Sequence, residues 1–205
     1  FVDEKGEMFG EEYTLVAVAD YVLANTPGNT VSNMSSSRAL RDITNKHNGT
    51  YTASAVGEVN VVQTMKDTKA VIGGEGNGGI IYPELHYGRD SLVGVALFLS
   101  HLVEQKMAVS ALRASYPSYY MSKQKIALTP QIDVDAILEK MADTYKAEEI
   151  TTIDGVKIDF ESNWVHLRKS NTEPIIRIYT EAVTQDKADT LANGIILQIK
   201  QIAGL

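Results

Sequence analysis

The chain has 205 residues, 44% of them hydrophobic and 22% charged, with a formal net charge of −7 and no cysteine. That length suits one large or two modest domains with proper cores, and the composition is that of an ordinary globular protein rather than a disordered or fibrous one. The acidic balance argues against broad nucleic-acid binding, no apolar run approaches the roughly 20 residues of a membrane helix, and the lack of cysteine excludes disulfide staples and thiolate zinc sites. The cytoplasm is the expected compartment, and any anion site must be local.

Phe1-Val2-Asp3 runs straight into the turn-like Glu4-Lys5-Gly6, with no initiator Met and no signal pattern, which reads as a start inside a larger protein. Leu15, Val18, Ala19, Val22 and Leu23 recur at helical spacing and predict an amphipathic helix that ends at Thr26-Pro27-Gly28-Asn29. A short strand over 30–34 leads through Ser35-Ser36-Ser37 into a helix over 38–47. A strand over 51–55, a helix over 59–66, a short apolar strand at Val71-Ile72 and a helix over 92–105 follow. Strands alternating with helices imply βαβ units, that is, a three-layer α/β domain with a mainly parallel sheet. In such sheets ligands bind at the carboxyl ends of strands.

Past Ser110 the pattern changes. Tyr116-Pro117-Ser118-Tyr119-Tyr120 reads as a connection, so the expected domains are 1–115 and 116–205. A strand over 123–128, a helix opened by Asp133 and Asp135, three strands over 156–160, 164–168 and 175–180, and a closing helix over 187–202 predict a smaller α+β domain with an antiparallel sheet.

Two loops carry the candidate chemistry. Gly73-Gly74-Glu75-Gly76-Asn77-Gly78-Gly79 follows a predicted strand and has five glycines among seven residues. They free the backbone for close approach and leave Glu75 and Asn77 as the side chains that can read adjacent hydroxyls, one accepting only, the other donating and accepting. The second loop is Arg168-Lys169-Ser170-Asn171-Thr172-Glu173-Pro174, between two strands. Alternation puts Trp164, His166 and Arg168 on one strand face, and Arg177 stands near the start of the next strand. Two arginines, the Ser170 and Thr172 hydroxyls and the Asn171 amide are the cations and directed donors that a phosphate dianion needs. His86, a lone loop histidine, is read as a surface residue, and His47, His101 and His166 have no partner at metal-ligand spacing, so no zinc site is expected.

The second loop resembles the phosphate-binding signature of the α-D-phosphohexomutases, and Gly74-Glu75-Gly76-Asn77-Gly78-Gly79 resembles their sugar-recognition loop. Ser35-Ser36-Ser37-Arg38-Ala39-Leu40, Val56-Gly57-Glu58 and Tyr87-Gly88-Arg89-Asp90 resemble further landmarks of the family's third domain. The resemblance covers essentially the whole chain. It implies the third and fourth domains of a four-domain enzyme that interconverts hexose 1-phosphates and 6-phosphates through a bisphosphate. Phosphoserine and magnesium would sit in the preceding domains, a hexose bisphosphate would act as activator, and the present segment would be inactive alone. By the same resemblance Glu75, Asn77, Arg168, Ser170, Asn171, Thr172 and Arg177 bind substrate, and no catalytic or metal-ligating residue falls in this segment. Gly79 and Asn77, with Glu58, depart from many relatives and are similar to an archaeal type of phosphoglucosamine mutase, so glucosamine, glucose and mannose phosphates are all expected substrate classes. The rival expectation is a non-catalytic sugar-phosphate-binding module.

Overall fold

The structure is a computed structural model that describes residues 1–127, 132–170 and 175–204. Two compact units emerge, Phe1–Ser118 and Tyr119–Leu205. The boundary falls later than the expected 115/116 because Tyr116 and Pro117 are bonded into the first unit. The Tyr116 hydroxyl donates to Asp20 Oδ2 at 3.2 Å and lies 2.9 Å from His101 Nε2, while Tyr13 donates its hydroxyl proton to the Pro117 carbonyl at 2.7 Å. Burial works to raise the Asp20 carboxyl, but hydrogen bonds from His101, His47 and Lys46 outweigh it and hold the group well below its usual range.

The first unit contains α1 (Glu11–Asn25), β1 (Asn29–Asn33), α2 (Ala39–Lys46), β2 (Tyr51–Ser54), α3 (Glu58–Thr68), β3 (Ala70–Glu75), β4 (Gly79–Ile81), α4 (Ser91–Gln105) and α5 (Val109–Ala114). Its sheet runs β2-β1-β3-β4, with β1 parallel to both β2 and β3 and only β4 antiparallel. Thr30 meets Thr44 of α2 at 2.6 Å on one face, and Val31 packs with Val61 and Met65 of α3 on the other. Helices thus cover both faces, as buried parallel strands require.

Helix α1 is more deeply placed than an amphipathic reading allows. Leu15, Val16, Ala17, Val18, Ala19, Val22 and Leu23 are all buried, because β3 lies against one side and α2 and α4 against others. A helix that is apolar nearly all round belongs inside a domain.

The second unit contains β5 (Tyr120–Ala127), α6 (Val134–Thr144), β6 (Glu149–Thr151), β7 (Val156–Asp159), β8 (Trp164–Lys169), β9 (Ile175–Ala182) and α7 (Gln185–Ala203). Its sheet order is β5-β9-β8-β7-β6, antiparallel throughout. Ile126, Ile158, Val165, Leu167, Ile176 and Ile178 point to one face and form a core with Ile137, Leu138 and Met141 of α6 and Ile195 and Ile199 of α7. Burying such a side chain stabilises by about 1.5–3 kcal/mol each. The opposite face is polar, and it carries the charged residues described below. Among the described residues no helix is long and apolar enough to cross a membrane.

Candidate substrate-holding sites

Strand β3 continues through Gly73 and Gly74, which the sequence reading had in the loop. Both are held in ladders on two sides, to Val31 and Ser32 of β1 and to Ile81 and Ile80 of β4. The irregular part shrinks to Gly76-Asn77-Gly78, a tight turn closed where the Gly78 N–H donates to the Glu75 carbonyl at 3.1 Å. Two of the glycines are needed for close approach. A Cβ on Gly76 would collide with the Glu12 carboxylate, and one on Gly79 would lie 2.6 Å from Cδ of Arg89.

Glu75 ends β3 and is buried. Its Oε1 accepts from Asn33 Nδ2 at 3.0 Å, and its Oε2 lies 3.4 Å from Arg89 Nη1. Arg89 is shared: its Nε donates to Glu58 Oε2 at 2.8 Å and its backbone N–H to Glu58 Oε1 at 3.0 Å. Those two bonds, the backbone one first, hold the Glu58 carboxyl below its usual range. Asn33 is fixed in turn by donors from Ser35 N at 3.0 Å and Ser36 Oγ at 3.2 Å. The serine loop also binds the glycine turn, since Gly76 N donates to Ser36 Oγ at 3.0 Å and Ser37 N to Glu12 Oε2 at 2.8 Å.

Asn77 is exposed, and its Oδ1 accepts from the Gly79 N–H at 3.1 Å, so the amide braces its own turn. It borders a cavity of about 430 Å³ with Phe1, Met8, Ile80 and Val95, which Glu75 does not line. His86 Nε2 stands 3.1 Å from Asp90 Oδ2. Asp90 caps α4 through bonds from Leu92 N and Val93 N.

In the second unit Arg168 and Arg177 stand directly opposite each other across β8 and β9. Ser170 closes the described end of the hairpin, its N–H donating to the Ile175 carbonyl at 3.1 Å. Asn171, Thr172, Glu173 and Pro174 lie outside the described residues. Arg168 Nε is held by Asp154, 3.0 Å from Oδ2 and 3.2 Å from Oδ1, whereas Arg177 is exposed. His166, next along β8 on the same face, lies 2.7 Å from the Asp154 carbonyl. Burial pushes its imidazole down to about 4, so the ring is neutral and its Nε2–H donates to that carbonyl. Trp164 donates from Nε1 to Glu181 Oε1 at 2.7 Å, with Lys157 Nζ 4.4 Å over its ring.

Sequence reasoning singled out Glu75, Asn77, Arg168, Ser170 and Arg177 as candidates, and it noted Arg89, Glu58 and the serine run without placing them in the site. It missed Glu12, Asn33 and Asp154, each of which is distant in sequence from the group it holds. Among the described residues no group of three or more His, Asp or Glu is placed to hold a metal ion.

A mainly parallel α/β unit with a braced carboxylate at a strand end, followed by an antiparallel α+β unit with paired arginines at a hairpin, defines the class. The family model for phosphoglucomutase/phosphomannomutase alpha/beta/alpha domain III matches residues 10–120, and that for the phosphoglucomutase/phosphomannomutase C-terminal domain matches residues 123–198. The chain belongs to the phosphoglucomutase/phosphomannomutase family. It is 35% identical over 208 residues to a phosphoglucomutase/phosphomannomutase of Thermococcus kodakarensis, covering 100% of this chain and 45% of that protein. It is 36% identical over 174 residues to a phosphoglucosamine/phosphogalactosamine mutase of Sulfurisphaera tokodaii, covering 84% of this chain and 37% of that protein. Among solved structures, a family protein from Burkholderia thailandensis matches in fold with a TM-score of 0.79 at 20% identity, covering 98% of this chain and 43% of that one. The chain therefore spans less than half the length of these relatives.

Proposed function

We propose that the chain is the substrate-holding, C-terminal part of a phosphohexomutase that interconverts hexose 1-phosphates and 6-phosphates through a bisphosphate. The observation that carries this reading is the direct pairing of Arg168 with Arg177 beside Ser170 at one hairpin. Two guanidinium groups on neighbouring strands offer paired N–H donors to a phosphate dianion, each charge-assisted bond contributing about 1.5–3 kcal/mol. Glu75, braced by Asn33 and Arg89, accepts from ring hydroxyls, and the Asn77 amide donates to a neighbouring one. The Asn171 and Thr172 side chains add donors to the phosphate.

Neither unit breaks a P–O bond in this scheme. Phosphoryl transfer depends chiefly on positioning and charge neutralisation, and the chain supplies the positioning. Magnesium would neutralise charge at a phosphoserine. Both it and the phosphoserine belong to the part of the protein outside this chain, and a hexose bisphosphate serves as activator.

The test is turnover by the full-length protein with magnesium and a catalytic hexose bisphosphate, comparing kcat/KM for glucosamine, glucose and mannose 1-phosphates. Turnover with a clear preference supports the mutase and names its substrate. Phosphate-dependent binding without turnover of any of the three would make the chain part of a non-catalytic sugar-phosphate-binding module.

A further inference from the structure

The sheet face that carries Arg168 and Arg177 continues onto β5 with two more cations. Lys125 stands directly opposite Arg177, and Arg177 directly opposite Arg168. Directly paired residues of an antiparallel sheet share a face, so three cations form one row across β5, β9 and β8, about 10 Å from end to end at the usual strand spacing. One pleat along, Lys123 stands opposite Tyr179, its ammonium 5.7 Å from the ring centroid.

Like charges placed directly opposite each other destabilise a sheet. Among the described residues the row is compensated at one end only, where Asp154 holds Arg168. Among the described residues no carboxylate lies within ion-pair distance of Lys123, Lys125 or Arg177. Lys169 makes the contrast: it is the next residue after Arg168, on the other face of β8, and Asp135 neutralises it at 2.7 Å. Because the Arg168–Asp154 pair sums to zero, the charges of the row left uncompensated among the described residues are those of Arg177 and Lys125. Two positive charges match a phosphate dianion. Lys123, Lys125, Ile175, Arg177 and Tyr179 also line a pocket of about 400 Å³ on this face, room for the anion to sit over the middle of the row.

Building on the reading that Arg168 and Arg177 hold the substrate's non-reacting phosphate, we infer that Lys125 is a third cation of that site. It reaches the dianion from β5 and supplies, with Arg177, the charge that Asp154 removes from Arg168. Lys123 flanks the pocket and steadies the Tyr179 ring as its wall. Lys125 is a substrate-positioning group and takes no part in bond making.

The test uses the full-length enzyme and its Lys125→Met, Lys125→Arg, Arg177→Ala and Lys200→Met variants, the last removing a charge from α7 on the helical side of the sheet. The readouts are KM and kcat for the preferred hexose 1-phosphate, and the inhibition constant of inorganic phosphate. Lys125→Met is expected to raise KM and the phosphate constant five- to tenfold with kcat within twofold. Lys125→Arg is expected to restore both to within twofold, and Lys200→Met to leave them unchanged. Lys125 is exposed, so truncation leaves no cavity, and without ligand Lys125→Met should melt at or above the parent temperature.

A phosphate constant unmoved by Lys125→Met but raised tenfold by Arg177→Ala overturns the inference and leaves the proposed phosphate site standing. If neither variant moves it, the site reading fails as well. An equal shift in Lys200→Met, or a lower ligand-free melting temperature in Lys125→Met, reduces the effect to general electrostatics or to structure and also overturns the inference.

Discussion

Glu75 and Arg177 are both charged residues on sheet strands, yet the fold treats them differently. Glu75 is buried and already bonded by Asn33 and Arg89, and a second layer of Ser36 and Glu58 steadies those partners. Arg177 is exposed and flanked by like charges on both neighbouring strands. The first region stores its order within the protein and holds a carboxylate whose position would cost a ligand little to use. The second leaves like-charge repulsion in the sheet that a bound anion would relieve. A neutral, directional group such as a sugar hydroxyl suits the first arrangement, and a dianion suits the second.

The largest expected effect probes how much positive charge the second region tolerates. His166 sits on that face with its imidazole pushed down to about 4 by burial, against an ordinary value of 6.5. A depressed histidine means that the unfolded chain takes up the proton first. Stability is therefore full above about pH 6.5 and falls as pH drops towards 4, by about 3 kcal/mol in all. Denaturant unfolding of the parent and of His166→Gln across that range should show this slope in the parent and lose it in the variant.

The next effect breaks the wiring of the first region. Glu75→Gln leaves Arg89 without one of its two carboxylates and removes a charged acceptor from the ring, and kcat/KM of the full-length enzyme should fall on the order of 100-fold, about 2.7 kcal/mol. A fall below threefold would show that the brace serves packing alone. Gly76→Ala drives a methyl into the Glu12 carboxylate and should lower stability by about 2 kcal/mol, measured as a shift in denaturant midpoint at constant slope. Arg177→Ala should raise KM at least tenfold, about 1.4 kcal/mol, while leaving the melting temperature of the ligand-free protein unchanged or higher, since it removes a repelling charge. The two regions are thus separated by the sign of their stability response: cutting into the first loosens the protein, and cutting into the second does not.

Much of this was legible in the sequence because the signals are local. The 3.6-residue spacing of Val18, Val22 and Leu23 marks α1, and period-2 alternation puts His166 and Arg168 on one face of β8. Other parts depend on which distant segment arrives. Strand β4 has three residues and is a strand through its pairing with β3, and β6 is equally short and leans on β7. Helix α5 is a six-residue helix in a stretch to which the sequence reading gives no element. The same limit applies to the sites. Glu75 and Arg168 announce themselves by their loops, but nothing local says that Asn33, Glu12 or Asp154 will hold the neighbouring groups. The register that lines up Lys125 with both arginines is likewise a property of the finished sheet.

That register has a consequence in time. Strand β5 opens the second unit and is bonded along its whole length to β9, the last strand, so the sheet cannot close until nearly the entire unit has left the ribosome. Pairing of such distant segments is the slow step in folds of this kind. The row of Lys125, Arg177 and Arg168 does not exist before that closure, and the repulsion within it acts against the closing event itself. An anion that bound only the closed form would shift the balance towards it by mass action. A ligand of the finished sheet would in this sense also be a folding aid.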